Sequence, residues 1–106
     1  MLNQIDDVFR ALADSSRRSI VERLAVGDKT VSELARPLAM TLPAVIQHLA
    51  VLEASGLVRS RKTGRVRTCS LDRTVFDRAE QWFVERRLTW NERLDRLGDY
   101  LTDEHD

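Results

Sequence analysis

Six basic side chains stand between residues 31 and 70: Arg36, Arg59, Arg61, Lys62, Arg65 and Arg67. Only Glu33 and Glu53 oppose them, so this stretch carries a local net charge of +4. Arg61, Lys62, Arg65 and Arg67 crowd around Thr63-Gly64, where the chain can reverse in a tight turn. Clustered positive charge on a short hairpin is what phosphate binding requires. A narrow minor groove, with its strongly negative potential, draws in the same side chains. Such charges also protect a hairpin edge from pairing with another chain, a role that competes with phosphate contact. Arg59 lies nearer the body of the domain. A second kind of chemistry sits just upstream, in TLPAVIQHL, residues 41–49. If Val45, Leu49 and Leu52 form the buried stripe of a helix, Gln47 points away from them, with Pro43 and Ala50 on either side. Its amide can form paired bonds to N6 and N7 of adenine. Ala44 and Ile46 can touch a thymine methyl group, and Thr41 and His48 are candidates for phosphate contact. His48 is equally suited to packing against the preceding helix.

Other chemistries lack their residues. A metal site needs three or four converging thiolate, imidazole or carboxylate ligands. The sequence offers one cysteine, Cys69, and two histidines, His48 and His105. No metal and no cofactor is expected. Cys69 alternates in register with Leu71 and reads as a small core hydrophobe. No nucleophile–base pair and no glycine-rich phosphate loop is present, so an enzyme is not expected. One cysteine also excludes an internal disulfide framework. No apolar run reaches the roughly 20 residues that span a bilayer, and the N-terminus lacks the order of a signal peptide. These features predict a cytoplasmic location.

The formal net charge of the 106 residues is zero, but the charge is unevenly placed. Residues 1–30 balance at five basic and five acidic side chains. Residues 71–106 carry six basic and ten acidic ones, a net of −4 that cancels the basic middle. A local basic stripe can bind a polyanion while the remaining surface keeps the protein soluble.

Helical elements must position these groups. Leu2, Ile5, Val8, Phe9 and Leu12 recur at helical spacing over residues 2–13. Asp14 can cap a second helix, which buries Ile20, Val21 and Leu24 and ends at Gly27. Thr30-Val31-Ser32-Glu33 is a capping box that opens a short third helix ending near Pro37 and Leu38. Thr41 caps the fourth helix, Pro43 sits in its first turn, and Gly56 stops it. Residues 57–62 and 65–71 form a hairpin. Asp72 then caps a last helix running to about Leu101. Its Val75, Phe76, Ala79, Trp82, Phe83, Leu88, Trp90, Leu94, Leu97 and Leu101 cover more than one narrow stripe. A helix apolar over so wide an arc usually meets a partner subunit. The fold class is therefore mainly α with a small β-hairpin: helix, turn, second helix, then a basic wing, a shape best known for reading duplex DNA.

The segments FRALADSSRRSIVERL, VSELARPLAMTLPAVIQHLAVLEASGLV and WFVERRLTWNERLDRL resemble the ArsR-type winged helix-turn-helix repressors, in particular the subgroup without metal-binding cysteines. The resemblance covers residues 5–101. It implies a single domain, residues 1–106, of five helices with a two-stranded wing. It also implies a homodimer held by the first and last helices, which binds an imperfect inverted repeat and blocks transcription. Recognition would then fall to residues 30–71 and dimerisation to residues 1–13 and 73–101. The interface would draw on Leu2, Ile5, Val8 and Phe9 with Trp90, Leu94, Leu97 and Leu101. Three positions depart from the pattern. Ser15-Ser16 replaces Pro-Thr, Ile46-Gln47 replaces Ser-Lys, and Cys69 stands where relatives carry Tyr. The second departure changes a basic contact into an amide and points to an altered operator.

Two other functions fit the same sequence. A winged helix can serve as a protein-interaction module, for which the acidic last helix offers a surface. A repressor can also respond to a small molecule, in a cleft lined by Trp82 and Trp90, or to the redox state of Cys69.

Overall fold

The computed structural model describes residues 4–104. The order of elements is α1 (Gln4–Ala11), α2 (Ser15–Val26), β1 (Lys29–Thr30), α3 (Val31–Leu38), α4 (Leu42–Ala54), β2 (Val58–Thr63), β3 (Val66–Leu71) and α5 (Arg73–Glu104). The chain divides into two compact units after Phe76. Leu2, expected in the first helix, lies outside the described residues.

In the first unit, polar side chains close several of the helix ends. Asp14 Oδ1 accepts the Arg17 N–H at 3.0 Å and caps α2, whose first turn holds Ser15-Ser16. This bond holds the Asp14 carboxyl below its ordinary pKa. The two arginines that follow reach back to the end of α1. Arg17 Nε donates to the Ala11 carbonyl at 2.6 Å, and Arg18 Nη1 donates to the Leu12 carbonyl at 2.8 Å. They satisfy acceptors that a helix C-terminus leaves open. The capping box forms as expected: Glu33 N–H donates to Thr30 Oγ1 at 3.2 Å, and Thr30 N–H donates to Glu33 Oε1 at 3.1 Å. Thr41 Oγ1 accepts the Ala44 N–H at 3.3 Å to open α4.

Between α3 and α4 the helical direction turns by 113°. Pro37 withholds the N–H that would bond the Glu33 carbonyl, and the helix stops one residue later. Ala39 then takes a left-handed conformation, φ 52° and ψ 37°, a region that costs a residue with a Cβ roughly 1–2 kcal/mol. At the other end of α4, Gly56 has φ +86°. Ser55 is buried beside it. Its Oγ donates to the Leu52 carbonyl at 2.7 Å and accepts the Leu57 N–H at 3.2 Å. The core beneath these elements includes Val8, Ile20, Leu24, Leu34, Val45, Leu49, Leu52, Leu57, Val58 and Cys69.

The wing has one strand more than expected. The sheet order is β1-β3-β2, all antiparallel, with Lys29 opposite Cys69 and Thr30 opposite Thr68. Two residues are too few to show an alternating pattern, so β1 leaves no periodic signal. The hairpin pairs Val58 with Leu71 through to Thr63 with Val66. The turn is therefore Gly64-Arg65, one residue later than Thr63-Gly64. Gly64 at φ +61° occupies the first central position, where a hairpin turn of the II′ type needs glycine.

Asp72 joins the sheet to the last helix. Its Oδ1 accepts the Val75 N–H at 3.2 Å, and its Oδ2 meets Arg59 Nη2 at 2.6 Å. The second unit, Asp77 onward, continues α5 to Glu104, three residues past the expected end. The 32 residues of α5 make a helix roughly 48 Å long. Its Phe83, Leu88, Trp90, Leu94, Leu97, Tyr100 and Leu101 are exposed. Arg86 lies over the Trp82 ring at 4.6 Å, and Trp82 meets Phe83 edge to face at 5.3 Å. No single described helix is long and apolar enough to cross a membrane.

The Arg59 bond, with the Val75 N–H second, holds the Asp72 carboxyl below its ordinary pKa. A depressed folded pKa stabilises the fold above the unfolded value of about 3.9. That stabilisation is lost as pH falls through the folded value. Asp72→Asn keeps an acceptor for Val75 but loses the ion pair. We expect it to lower the urea midpoint at pH 7 and to differ much less from wild type near pH 2.5. A difference of the same size at both pH values would show that the pair does not stabilise the fold.

Candidate nucleic-acid interface

Burial of one side of α4 determines what its other side presents. Val45, Leu49 and Leu52 are fully enclosed. Gln47, Pro43 and Ala50 are therefore exposed, as is Thr41 at the helix start. Ile46 is 44% exposed, and Leu42 beside it is 47% exposed. Ala44 is half-buried. Together these side chains form an outward surface with one amide donor–acceptor, two branched hydrocarbons and a cap hydroxyl. His48 is half-buried and turns back toward α2, where its Nδ1 lies 4.0 Å from Asp14 Oδ1. This places the ring beside the cap of the second helix, a neighbour that neither of its expected roles named.

The wing sorts its cations by strand alternation. Val58, Ser60 and Lys62 of β2 stand opposite Leu71, Cys69 and Arg67 of β3, and this face contains the buried Val58 and Cys69. Arg59 and Arg61 lie on the other face. Arg61, Lys62 and Arg65 are exposed, and none forms an ion pair with a described residue. Arg59 is held by Asp72, in keeping with its expected place near the body.

Arg67 departs from expectation. Its Nη2 donates to Glu53 Oε1 at 2.6 Å and to Oε2 at 2.8 Å. Its Nε donates to Ser60 Oγ at 2.9 Å. With Nε and Nη2 already committed to Ser60 and Glu53, Arg67 belongs to the scaffold and not among the unpaired cations. Sequence reading passed over Glu53 because one acid among six bases reads as a deduction from the net charge. Its place in the last turn of α4, beside a strand rich in arginine, was the available signal.

Between α4 and the wing lies an open cleft of about 720 Å³. Leu42 and Ile46 form one wall, and Ser60, Lys62, Arg65, Val66 and Arg67 form the other. Thr30, Val31 and Ser32 at the start of α3 close it. A cleft with cations at its rim and an amide-bearing helix beside it can accommodate a phosphodiester strand.

Among the interface candidates, Val8 is fully buried within its own chain and cannot face a partner. Ile5 and Phe9 are half-buried. Trp90, Leu94, Leu97 and Leu101 are exposed, from 48% to 61%. Among the described residues no three His, Cys, Asp or Glu side chains gather into a metal-binding group. His105 lies outside them. Cys69 is fully enclosed, and burial raises its thiol pKa, which disfavours the reactive thiolate.

A helix-turn-helix followed by a β-hairpin wing defines the winged helix-turn-helix class. Comparison with known proteins narrows it. Residues 14–60 match the family described as "Bacterial regulatory protein, arsR family". The HTH-type transcriptional regulator Rv2034 of Mycobacterium tuberculosis is 52% identical over 69 residues. That match covers 65% of this chain and 64% of the relative, so it spans a little under two thirds of that protein's length. The crystal structure of the ArsR family transcriptional regulator RHA00566 superposes with a TM-score of 0.77 at 44% identity, over 84% of this chain and 98% of that one. The homodimeric winged helix-turn-helix DNA-binding domain Mb0332 of Mycobacterium bovis superposes with a TM-score of 0.64 at 26% identity, over 88% and 83%. This chain belongs to the ArsR family of transcriptional regulators, a family of regulators and not of enzymes.

The free and paired arginines of the wing are expected to behave differently on substitution. Arg65→Ala should weaken binding to all duplexes by similar factors, because a phosphate contact carries little sequence information. It should also flatten the log–log salt dependence by about one unit. An affinity loss confined to one operator, measured by fluorescence anisotropy over a salt series, would remove Arg65 from the phosphate contacts.

Proposed function

We propose that this protein is a sequence-specific DNA-binding repressor that acts as a homodimer on an imperfect inverted repeat, without a metal effector. The observation that carries this reading is the exposed face of α4, with Gln47, Ile46 and Leu42, sharing a cleft with the unpaired wing cations Lys62 and Arg65. In this reading residues 30–71 form the recognition region. Gln47 pairs with adenine in the major groove. Ile46 and Ala44 lie against a thymine methyl, and Thr41 and Pro43 approach the backbone at the helix start. The wing cations take phosphates or the adjacent minor groove. A dimer seated on a promoter excludes polymerase by occupancy, the same sign that the family resemblance implies.

Residues 73–101, with Ile5 and Phe9 of the first helix, supply the dimer. Two supports stand behind this: the exposed apolar side chains of α5 and the homodimeric state named for the neighbour Mb0332. Half-sites of an inverted repeat read by a two-fold dimer commonly lie about one DNA turn apart, ~34 Å. The dimer turns two weak half-site contacts into one strong one.

The function is tested by selecting bound duplexes from random fragments and measuring their affinity over a salt series, with and without stoichiometric zinc. We expect a two-fold related site, affinity that falls steeply with salt, and no effect of zinc. On that site Gln47→Ala should cost about 1–3 kcal/mol and relax the choice at one base pair in each half. A base-substitution series with unchanged preference would take Gln47 off the reading surface.

The assembly has its own test. Each fully buried Leu contributes roughly 1.5–3 kcal/mol. Leu94→Asp combined with Leu97→Asp should therefore yield monomers, or unfolded protein if the monomer does not stand alone. A sedimentation run that finds wild type as a folded monomer at micromolar concentration, with full operator affinity, would defeat both the dimer and the inverted-repeat mechanism.

A further inference from the structure

Glu53 brings a negative charge to the edge of a surface otherwise suited to a polyanion. It sits in the last turn of α4 and is held by Arg67 of β3, which also binds Ser60 of β2. Three polar groups thus tie both wing strands to the helix that presents Gln47. The Arg67 and Glu53 side chains are 33% and 26% exposed, sheltered enough for a charge-assisted bond to hold its geometry. Arg67 and Ser60 line one wall of the cleft, and Leu42 and Ile46 of α4 line the other. The bond from Arg67 to Glu53 therefore adds a polar tie between α4 and the wing to the anchorage given by buried Val58 and Cys69.

We propose that Glu53 is a positioning residue for DNA recognition. The Glu53–Arg67–Ser60 bridge sets the wing against α4 so that the base-reading face and the phosphate-binding tip meet one duplex in fixed register. This rests on the DNA-binding reading above. Two contact regions on a rigid frame reinforce each other because their relative placement costs nothing at the moment of binding. A wing free to swing loses that benefit, and it loses most at the operator, where both regions must fit at once.

Simple electrostatics gives the opposite expectation. If Glu53 were only a surface charge, Glu53→Gln would remove a repulsion and free the Arg67 guanidinium, and affinity would rise equally for every duplex. Positioning requires the preference for operator over scrambled duplex to fall by about tenfold, even where scrambled DNA binds as well or better. Arg67→Lys separates the two further. It keeps the charge but not the fork that spans Glu53 and Ser60, so electrostatics predicts no change and positioning predicts a loss.

The experiment measures affinity for the selected operator and for a scrambled duplex, over a salt series. It compares wild type, Glu53→Gln, Arg67→Lys, and the exchange Glu53→Arg with Arg67→Glu, with circular dichroism confirming that each is folded. Loss of preference in the first two variants, partly regained in the exchange, supports the proposal. Undiminished preference in Glu53→Gln and Arg67→Lys overturns the positioning role and leaves the DNA-binding reading intact. Wild type that binds no duplex in a salt-dependent manner overturns the DNA-binding reading and the proposal with it.

Discussion

The enclosure of Val45, Leu49 and Leu52 is the constraint on which the site depends. A helix can bury only one side, and its rotation about its own axis is fixed by what it buries. With three fully enclosed side chains at helical spacing, α4 cannot rotate without exposing a leucine or a valine, at a cost of about 1.5–3 kcal/mol each. Gln47, Ile46 and Pro43 therefore face outward because their neighbours face inward. The caps complete the constraint: Thr41 fixes where the helix begins, and Ser55 and Gly56 fix where it ends.

The turn before α4 has the same logic. Ala39 accepts a left-handed backbone although glycine would be less strained. Its N–H is directed at the Ala35 and Arg36 carbonyls, and Met40 N–H also reaches Ala35. Those bonds close the end of α3, and the chain leaves in a new direction toward Thr41. The 113° turn is thus the outcome of Pro37 ending one helix and Thr41 starting the next within three intervening residues, 39–41.

Much of this was legible in the residues. The caps at Asp14, Thr30, Thr41 and Asp72 each rest on a short local pattern, and each forms as read. The buried stripe of α4 follows from 3.6-residue spacing, and the exposed Gln47 follows from the stripe. What escaped reading depends on pairing across long sequence separations. Strand β1 exists because Lys29 and Thr30 lie beside Cys69 and Thr68, 38 or more residues away. Arg67 turns inward because of Glu53, fourteen residues earlier on another element. Val8 is buried where an interface position was expected, because helical spacing marks an apolar side without saying which neighbour covers it. His48 meets Asp14 for the same reason.

The arginines make the point in electrostatic terms. Counting charges assigns every basic residue the same role, and geometry divides them. Arg17 and Arg18 cap the end of α1 with their side-chain donors. Arg59 is bound to the cap of α5, and Arg67 to the last turn of α4. Of the six bases between residues 31 and 70, two are thus ion-paired with carboxylates of the same chain. Arg61, Lys62 and Arg65 are left exposed at or beside the hairpin tip. The local charge of +4 therefore describes the segment and not its surface. A guanidinium paired with a carboxylate keeps its full formal charge, but its Nε and Nη2 donors are already committed within the fold. The two paired arginines build the frame, and the three unpaired cations sit where the frame holds them. Through Arg67 the wing that carries those three cations is bonded to the same helix that presents Gln47.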